Sequence, residues 1–172
     1  MLGNGVTLPG GLFLRPVREG DAAFLATLYH GTRDDLRLLA NRDLTESLIE
    51  QQQQAQQQGY GEAFPDAMHF IIGLHQDAIG RLIVDFSRGT VHVVNIALIP
   101  TARGQGYGGA VIRAMQMAAE KIHAPVTLSV HHGNDAAWQL YRQLGFAVQE
   151  HYESHALLCW APPALMRAGA RP

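Results

Sequence analysis

A chain of 172 residues has room for one domain of ordinary size, and its 47% apolar content is enough to build a core. A net charge of −2 and a charged fraction of 16% leave no footprint for nucleic acid or an anionic membrane, and one cysteine, Cys159, excludes an intramolecular disulfide. The start MLGNGVTLPGG lacks the basic and apolar parts of a signal peptide, and no run of about 18 apolar residues occurs, so a cytoplasmic location is expected.

Residues 1–11 read as a loose lead-in, 12–161 as a single domain and 162–172 as a loose tail. Leu12 to Val17 is a short strand candidate. Phe24, Leu25 and Leu28 then recur at helical spacing after Asp21. A second helix is expected near Asp43, three residues before Glu46 as in a capping box, and it runs into the tract QQQQAQQQ at 51–58. That tract has almost no apolar face, so it reads as a solvated helix end, or alternatively as a lid over a cleft.

From residue 68 the pattern becomes that of strands. Met68 to Leu74 and Ile79 to Phe86, separated by His75-Gln76-Asp77-Ala78, predict a hairpin, with a third strand from Thr90 to Ile99. Tyr107, Val111, Met115, Ala118 and Ile122 mark one helical stripe, and Val126, Leu128 and Val130 alternate as a strand. Asn134 stands at the N-cap of a helix carrying Ala137, Leu140, Tyr141 and Leu144, and Gly145 fits its left-handed end. Strands over 146–150 and 155–160 complete a mixed α/β order with one parallel crossover.

The chemistry concentrates between Ile96 and Gly109, where a strand passes through Pro100-Thr101-Ala102-Arg103 into Gly104-Gln105-Gly106-Tyr107-Gly108-Gly109 and a helix. Glycines admit close approach to the backbone, and the unpaired amides of a helix N-terminus attract an anion such as a pyrophosphate. A Walker A loop fails because Ala110 and Val111 stand where lysine and serine or threonine belong. Gly104, Gly106 and Gly109 do spell G-x-G-x-x-G. The next strand, however, ends in Val130-His131-His132-Gly133 without the acid that would hold a ribose.

Read together, Arg103-x-x-Gly106-x-Gly108 and Asn134-Asp135-Ala136-Ala137-Trp138-Gln139-Leu140-Tyr141-Arg142-Gln143-Leu144-Gly145-Phe146 resemble the GNAT N-acetyltransferase superfamily. The resemblance spans residues 12 to 160 and is strongest over 94–146. It implies a mostly antiparallel mixed sheet of about seven strands, split in a V between the strands at 90–99 and 126–131 and flanked by about four helices. Acetyl-CoA would lie in that opening, its pyrophosphate on the amides of Gly104, Gln105, Gly106, Tyr107, Gly108 and Gly109. The pantetheine arm would pair with the backbone around Ile96, Ala97 and Leu98, and the Leu98 N–H would hold the developing oxyanion.

Arg103 is expected to bind on the phosphate side or to brace the loop, and Asn134 to cap its helix and contact the cofactor. The resemblance assigns Tyr141 as proton donor to the departing thiolate, against the alternative of a buried structural tyrosine. The position where some branches carry a glutamate base is His92, with Asp85, Glu62, Asp66, His131 or a water chain as further candidates. No metal is expected: His151 and His155 lie about 13 Å apart in an extended segment. The reading is therefore direct acetyl transfer to a small-molecule or peptide amine. The alternative is an inactive CoA-binding sensor, and a homodimer is a family-level expectation.

Overall fold

A computed structural model describes residues 5–32 and 42–168. In chain order its elements are β1 (Val6–Thr7), β2 (Leu12–Pro16), α1 (Ala22–Thr32), α2 (Arg42–Ala63), β3 (Met68–Leu74), β4 (Asp77–Asp85) and β5 (Val91–Leu98). They continue with α3 (Tyr107–Lys121), β6 (Val126–His131), α4 (Asp135–Gln143), β7 (Ala147–His151), β8 (His155–Trp160) and α5 (Pro163–Ala168). The strands form one sheet in the order β1-β2-β3-β4-β5-β6-β8-β7, the mixed, mostly antiparallel α/β architecture expected.

Only β5 and β6 run parallel, and their pairing stops after Val91–Val126, His92–Thr127 and Val93–Leu128. Beyond those pairs β5 continues to Leu98 and β6 to His131 on separate courses, which opens the V. Opposed residues on antiparallel strands face the same side. Arg81, Ile83 and Asp85 therefore share one face with Ala97, Asn95 and His92, while Leu82 and Val84 share the other with Ile96 and Val93. Val94 is the extra residue of a β-bulge between Val93 and Asn95, and this bulge puts His92 rather than Val93 on the face of Asn95.

The second face carries the main core. Leu82, Val84 and Val93 pack with Val111, Ile112, Met115 and Ala119 of α3 and with Val126, Leu128 and Val130 of β6. The first face is covered by α1, whose Leu28 and Tyr29 are buried outside that cluster, as are Ile71 and Ile83. Arg15 on β2 fixes the start of α1 by meeting both oxygens of Asp21 at 2.7 Å.

Several local expectations need correction. The hairpin turn is tighter than read, because His75 takes a left-handed conformation (φ 56°) and lets Asp77 and Ala78 pair with Leu74 and Gly73. The stripe of α3 is Val111, Ile112, Met115 and Ala119; Ile122 is 60% exposed because the helix ends at Lys121. Within the stretch read as a loose lead-in, β1 pairs with Phe13 and Leu14, and part of the stretch read as a tail is helical. The capping box expected at Asp43 and Glu46 falls on side chains outside the described residues.

Candidate active site

The chain leaves β5 and turns through Pro100–Ala102, closed by the Ala102 and Arg103 amides donating to the Ile99 and Pro100 carbonyls at 3.0 and 3.2 Å. Arg103 braces this turn: Nε donates to the Leu98 carbonyl and Nη2 to the Gly31 carbonyl, both at 3.1 Å. Gly104 and Gly106 then adopt φ of +70° and +84°, which side chains resist, and nothing lies within 4 Å of where a Cβ would stand on either. The first backbone bond of α3 runs from the Ala110 N–H to the Gly106 carbonyl at 3.0 Å. The amides of residues 104–109 are thus left without carbonyl partners among the described residues, at the positive end of a long helix.

Beside this loop lies a second set of unused backbone groups. The Ile99 N–H donates to the Ile79 carbonyl at 2.9 Å, which makes Ile79 and Ile99 a hydrogen-bonded pair. Such pairs alternate along antiparallel strands, so Gly80–Leu98 and Leu82–Ile96 are non-bonded pairs. The N–H and C=O of Ile96 and the N–H of Leu98 therefore point away from β4 and into the V, whereas the Leu98 C=O is taken by Arg103 Nε. Glycine is required at position 80, because a Cβ there would stand 2.7 Å from Leu98 Cδ2 and 3.3 Å from its Cα.

The far wall is α4. Asn134 caps it, its Oδ1 accepting from the Ala137 N–H at 3.2 Å. At the other end the Phe146 amide donates to the Tyr141 carbonyl at 3.0 Å and the Gly145 amide to the Arg142 carbonyl at 3.1 Å, with Gly145 at φ +85°. This two-bond cap ends the helix one turn after Tyr141. Buried Gln116 of α3 clamps the same end, its Nε2 donating to the Leu144 carbonyl at 2.8 Å. Tyr141 is held between these restraints, 7% exposed, with its ring 5.7 Å from that of Phe146. Burial raises its phenol above the ordinary pKa, so it keeps its proton at neutral pH.

Loop, strand and helix enclose a cavity of about 620 Å³ whose wall includes Leu98, Arg103, Gly108, Asn134 and Tyr141. The same cavity passes through the V to the opposite face of the sheet, where Tyr29, Gln56, Arg81 and Asn95 line it. Arg81 donates to Asn95 Oδ1 from Nε at 3.3 Å and from Nη2 at 2.9 Å, and Asn95 Nδ2 donates to the Tyr60 hydroxyl at 3.4 Å. Burial lowers the Arg81 pKa and raises that of Tyr60. The glutamine-rich helix is largely exposed, as the solvated reading expects. Gln53, Gln56 and Tyr60 nevertheless form a half-buried stripe, and Gln56 reaches the cleft.

The candidate bases separate in space. His92 faces a different cavity, its Nδ1 is 2.8 Å from Thr127 Oγ1, and its ring stacks on Phe64 at 5.1 Å. Burial lowers its pKa. The Asp85 carboxylate is held low by the Ser87 amide and hydroxyl, each donating at 3.0 Å. Glu62 and Asp66 are exposed and stand outside the cleft wall, whereas His131 at the end of β6 lines it. Among the described residues no group of three His, Cys, Asp or Glu side chains is placed to hold a metal, and no helix is long and apolar enough to cross a membrane.

Sequence reading missed Arg81, Tyr60, Gln56 and Gln116. One signal for Arg81 was present, a charged residue inside the apolar run Ile79 to Val84 of a strand buried along most of its length.

A model described as the acetyltransferase (GNAT) family matches residues 33–146, more than half of the chain. A PaiA N-acetyltransferase from Thermoplasma acidophilum, solved in complex with coenzyme A, is 14% identical, with a TM-score of 0.64 over 87% of this chain and 98% of its own. RimL, a ribosomal alpha-N-protein acetyltransferase in complex with coenzyme A, is 15% identical, with a TM-score of 0.65 over 93% and 99%. A chimera of the spermidine N-acetyltransferase SpeG from Vibrio cholerae and hSSAT is 19% identical, with a TM-score of 0.62 over 94% and 99%. At these identities the likeness is one of fold.

Proposed function

Because this chain belongs to the GNAT acetyltransferase family, we propose that it moves an acetyl group directly from acetyl-CoA to a primary amine. The observation that carries this reading is a cavity lined by Arg103 and Gly108 of the glycine loop, Ile96 and Leu98 of β5 and Tyr141 of α4 together with Arg81 and Asn95 of the opposite face. One substrate fits each side of the V, with the reacting atoms between them.

On the cofactor side, the pyrophosphate of acetyl-CoA sits on the amides of residues 104–109, and its pantetheine arm pairs with Ile96 and Leu98 as an added strand would. Arg103 keeps this platform rigid through its bonds to two backbone carbonyls rather than by reaching for phosphate. The Leu98 N–H polarises the thioester carbonyl and stabilises the oxyanion as it forms.

The acceptor enters from the face of Arg81 and Asn95. Its ammonium gives up a proton, with His131 of the cleft wall as the candidate acceptor, and the free amine attacks the carbonyl carbon. The C–N bond forms as the C–S bond breaks, and Tyr141 passes its proton to the departing thiolate. Phenol and thiol have ordinary pKa values of about 10 and 8.5, near enough for that transfer. No cysteine or serine lines the described cleft, and Cys159 lies on β8 with its thiol pKa raised by burial, which favours direct transfer over an acyl-enzyme. Holding both reactants in one cavity supplies much of the acceleration.

Thermal shift and single-turnover transfer test the reading together. CoA and acetyl-CoA are expected to raise the melting temperature and NAD is not. Gly106→Val, which forces a branched side chain into a left-handed turn at the anion site, abolishes the CoA shift. Stabilisation by CoA with no transfer to any amine favours a CoA-binding sensor instead.

A further inference from the structure

Arg81 is 7% exposed and forms part of the acceptor wall of the cleft. A guanidinium carries five N–H donors and keeps its charge at neutral pH. Here the partner is neutral: Nε and Nη2 both donate to Asn95 Oδ1, and Asn95 has no charge to offer. Among the described residues no carboxylate pairs with Arg81, and none lines the cavity. Among the described residues Nη1 of this cavity-lining side chain has no partner, and it is not fully enclosed.

The protein neutralises its other buried charges. Asp21 is met at both oxygens by Arg15, and Asp85 is satisfied by Ser87 with Arg88 at 4.0 Å. An uncompensated buried cation is costly, and a planar guanidinium fork fits a carboxylate better than any other common anion. Position fixes which substrate can answer it. Register sets Arg81 opposite Ala97, one residue from Leu98, on the acceptor face and away from the anion loop at the start of α3.

We propose that the acceptor itself completes this ion pair: the substrate is a short amino-carboxylate, such as an amino acid, whose carboxylate lies on Arg81 while its amine reaches Leu98 and Tyr141. This rests on the acetyltransferase reading above and narrows it. The Tyr60 hydroxyl, which accepts from Asn95, retains a proton to donate to the same carboxylate. A polyamine fits poorly, since it would bring further positive charge against Arg81 into a described cleft wall without an acid.

The test compares matched acceptors on the wild-type protein, each amino acid beside its carboxamide, its decarboxylated amine and an aminoalkyl phosphate, with spermidine as a further arm. Free thiol and product mass are read. The carboxylates are expected to lead in kcat/KM by roughly 30-fold or more, the usual scale for a buried charge left unpaired. Arg81→Met should raise KM for the carboxylates by a similar factor while CoA affinity and kcat at saturation hold, and Arg81→Lys should recover part of the loss. Equal use of amides and acids, a preference for the phosphate or for spermidine, or a uniform fall in kcat across all acceptors in Arg81→Met overturns the proposal while leaving acetyl transfer intact. Failure of the wild type to acetylate any amine overturns the function reading and this one with it. Should Arg81→Met not fold, the wild-type comparison decides alone.

Discussion

The two sides of the cleft are built on different plans. The side proposed for the cofactor is mostly backbone, six amides in one loop and two strand positions turned into the V, beside the Asn134 and Tyr141 side chains, all contributed by residues 96–146. The acceptor side is made of side chains brought together from α1, α2, β4 and β5, and its charge sits on one of them. Backbone cannot be substituted away, so a shape fixed by backbone suits a partner that never changes. Side chains can be exchanged singly, which suits a pocket whose partner differs from one relative to the next. A change on the cofactor side should therefore act alike on all acceptors, and a change on the acceptor side should act selectively.

The largest effect tests that uniformity. Tyr141→Phe keeps the ring against Phe146 and removes only the hydroxyl, so CoA affinity and melting temperature should hold while single-turnover transfer falls about 10²–10⁴-fold, the common worth of a placed general acid. The factor should be the same for every acceptor. A loss confined to some acceptors would break the division, and unchanged transfer would leave Tyr141 a packing residue.

Gln116→Leu comes next and acts at one remove. It orphans the buried Leu144 carbonyl, at a cost of about 1–3 kcal/mol, and frees the end of α4 that carries Tyr141. A fall of roughly 2–10 °C in melting temperature is expected for a chain of this size. Calorimetry should also show weaker CoA binding with acceptor selectivity unchanged. Stability loss without any change in CoA binding would show that the clamp does not position the cofactor wall.

The smallest effect falls on the acceptor side. Arg15 holds Asp21 down to a pKa of about 2, below the ordinary carboxylate value, and the pair anchors α1 with its Tyr29. A depressed folded pKa stabilises the fold fully above the unfolded value of about 3.9 and is lost as pH falls toward 2. Asp21→Asn should cost about 1 kcal/mol or less at neutral pH and flatten the acid limb of a melting-temperature profile between about pH 4 and 2. An acid limb identical in both proteins would remove Asp21 from the account.

The same division decides what the sequence could disclose. Contiguous backbone devices leave contiguous marks: Arg103 to Gly109 announces an anion site, and Asn134 to Gly145 announces a capped helix. Tyr141 is legible as a candidate because it rides on that helix. The acceptor wall leaves no such mark, because Arg81 and Asn95 stand 14 residues apart and meet only through the pairing of β4 with β5. His92 was chosen by its offset from Leu98, but distance along a strand does not say which cavity a side chain enters. Gln116 leaves no mark either, because the Leu144 carbonyl it binds lies 28 residues away in the chain.

Three residue pairs are all that join the two blocks of the sheet across the β5–β6 seam. Antiparallel ladders flank the join, and α3 packs against both sides of it in one core. A molecule lying along the free edge of β5 would act as mortar at that joint, adding hydrogen bonds where the ladder stops. Amide exchange carries the signature: the N–H groups of Ile96 and Leu98 should slow on CoA binding, and protection should spread outward from the seam into both blocks.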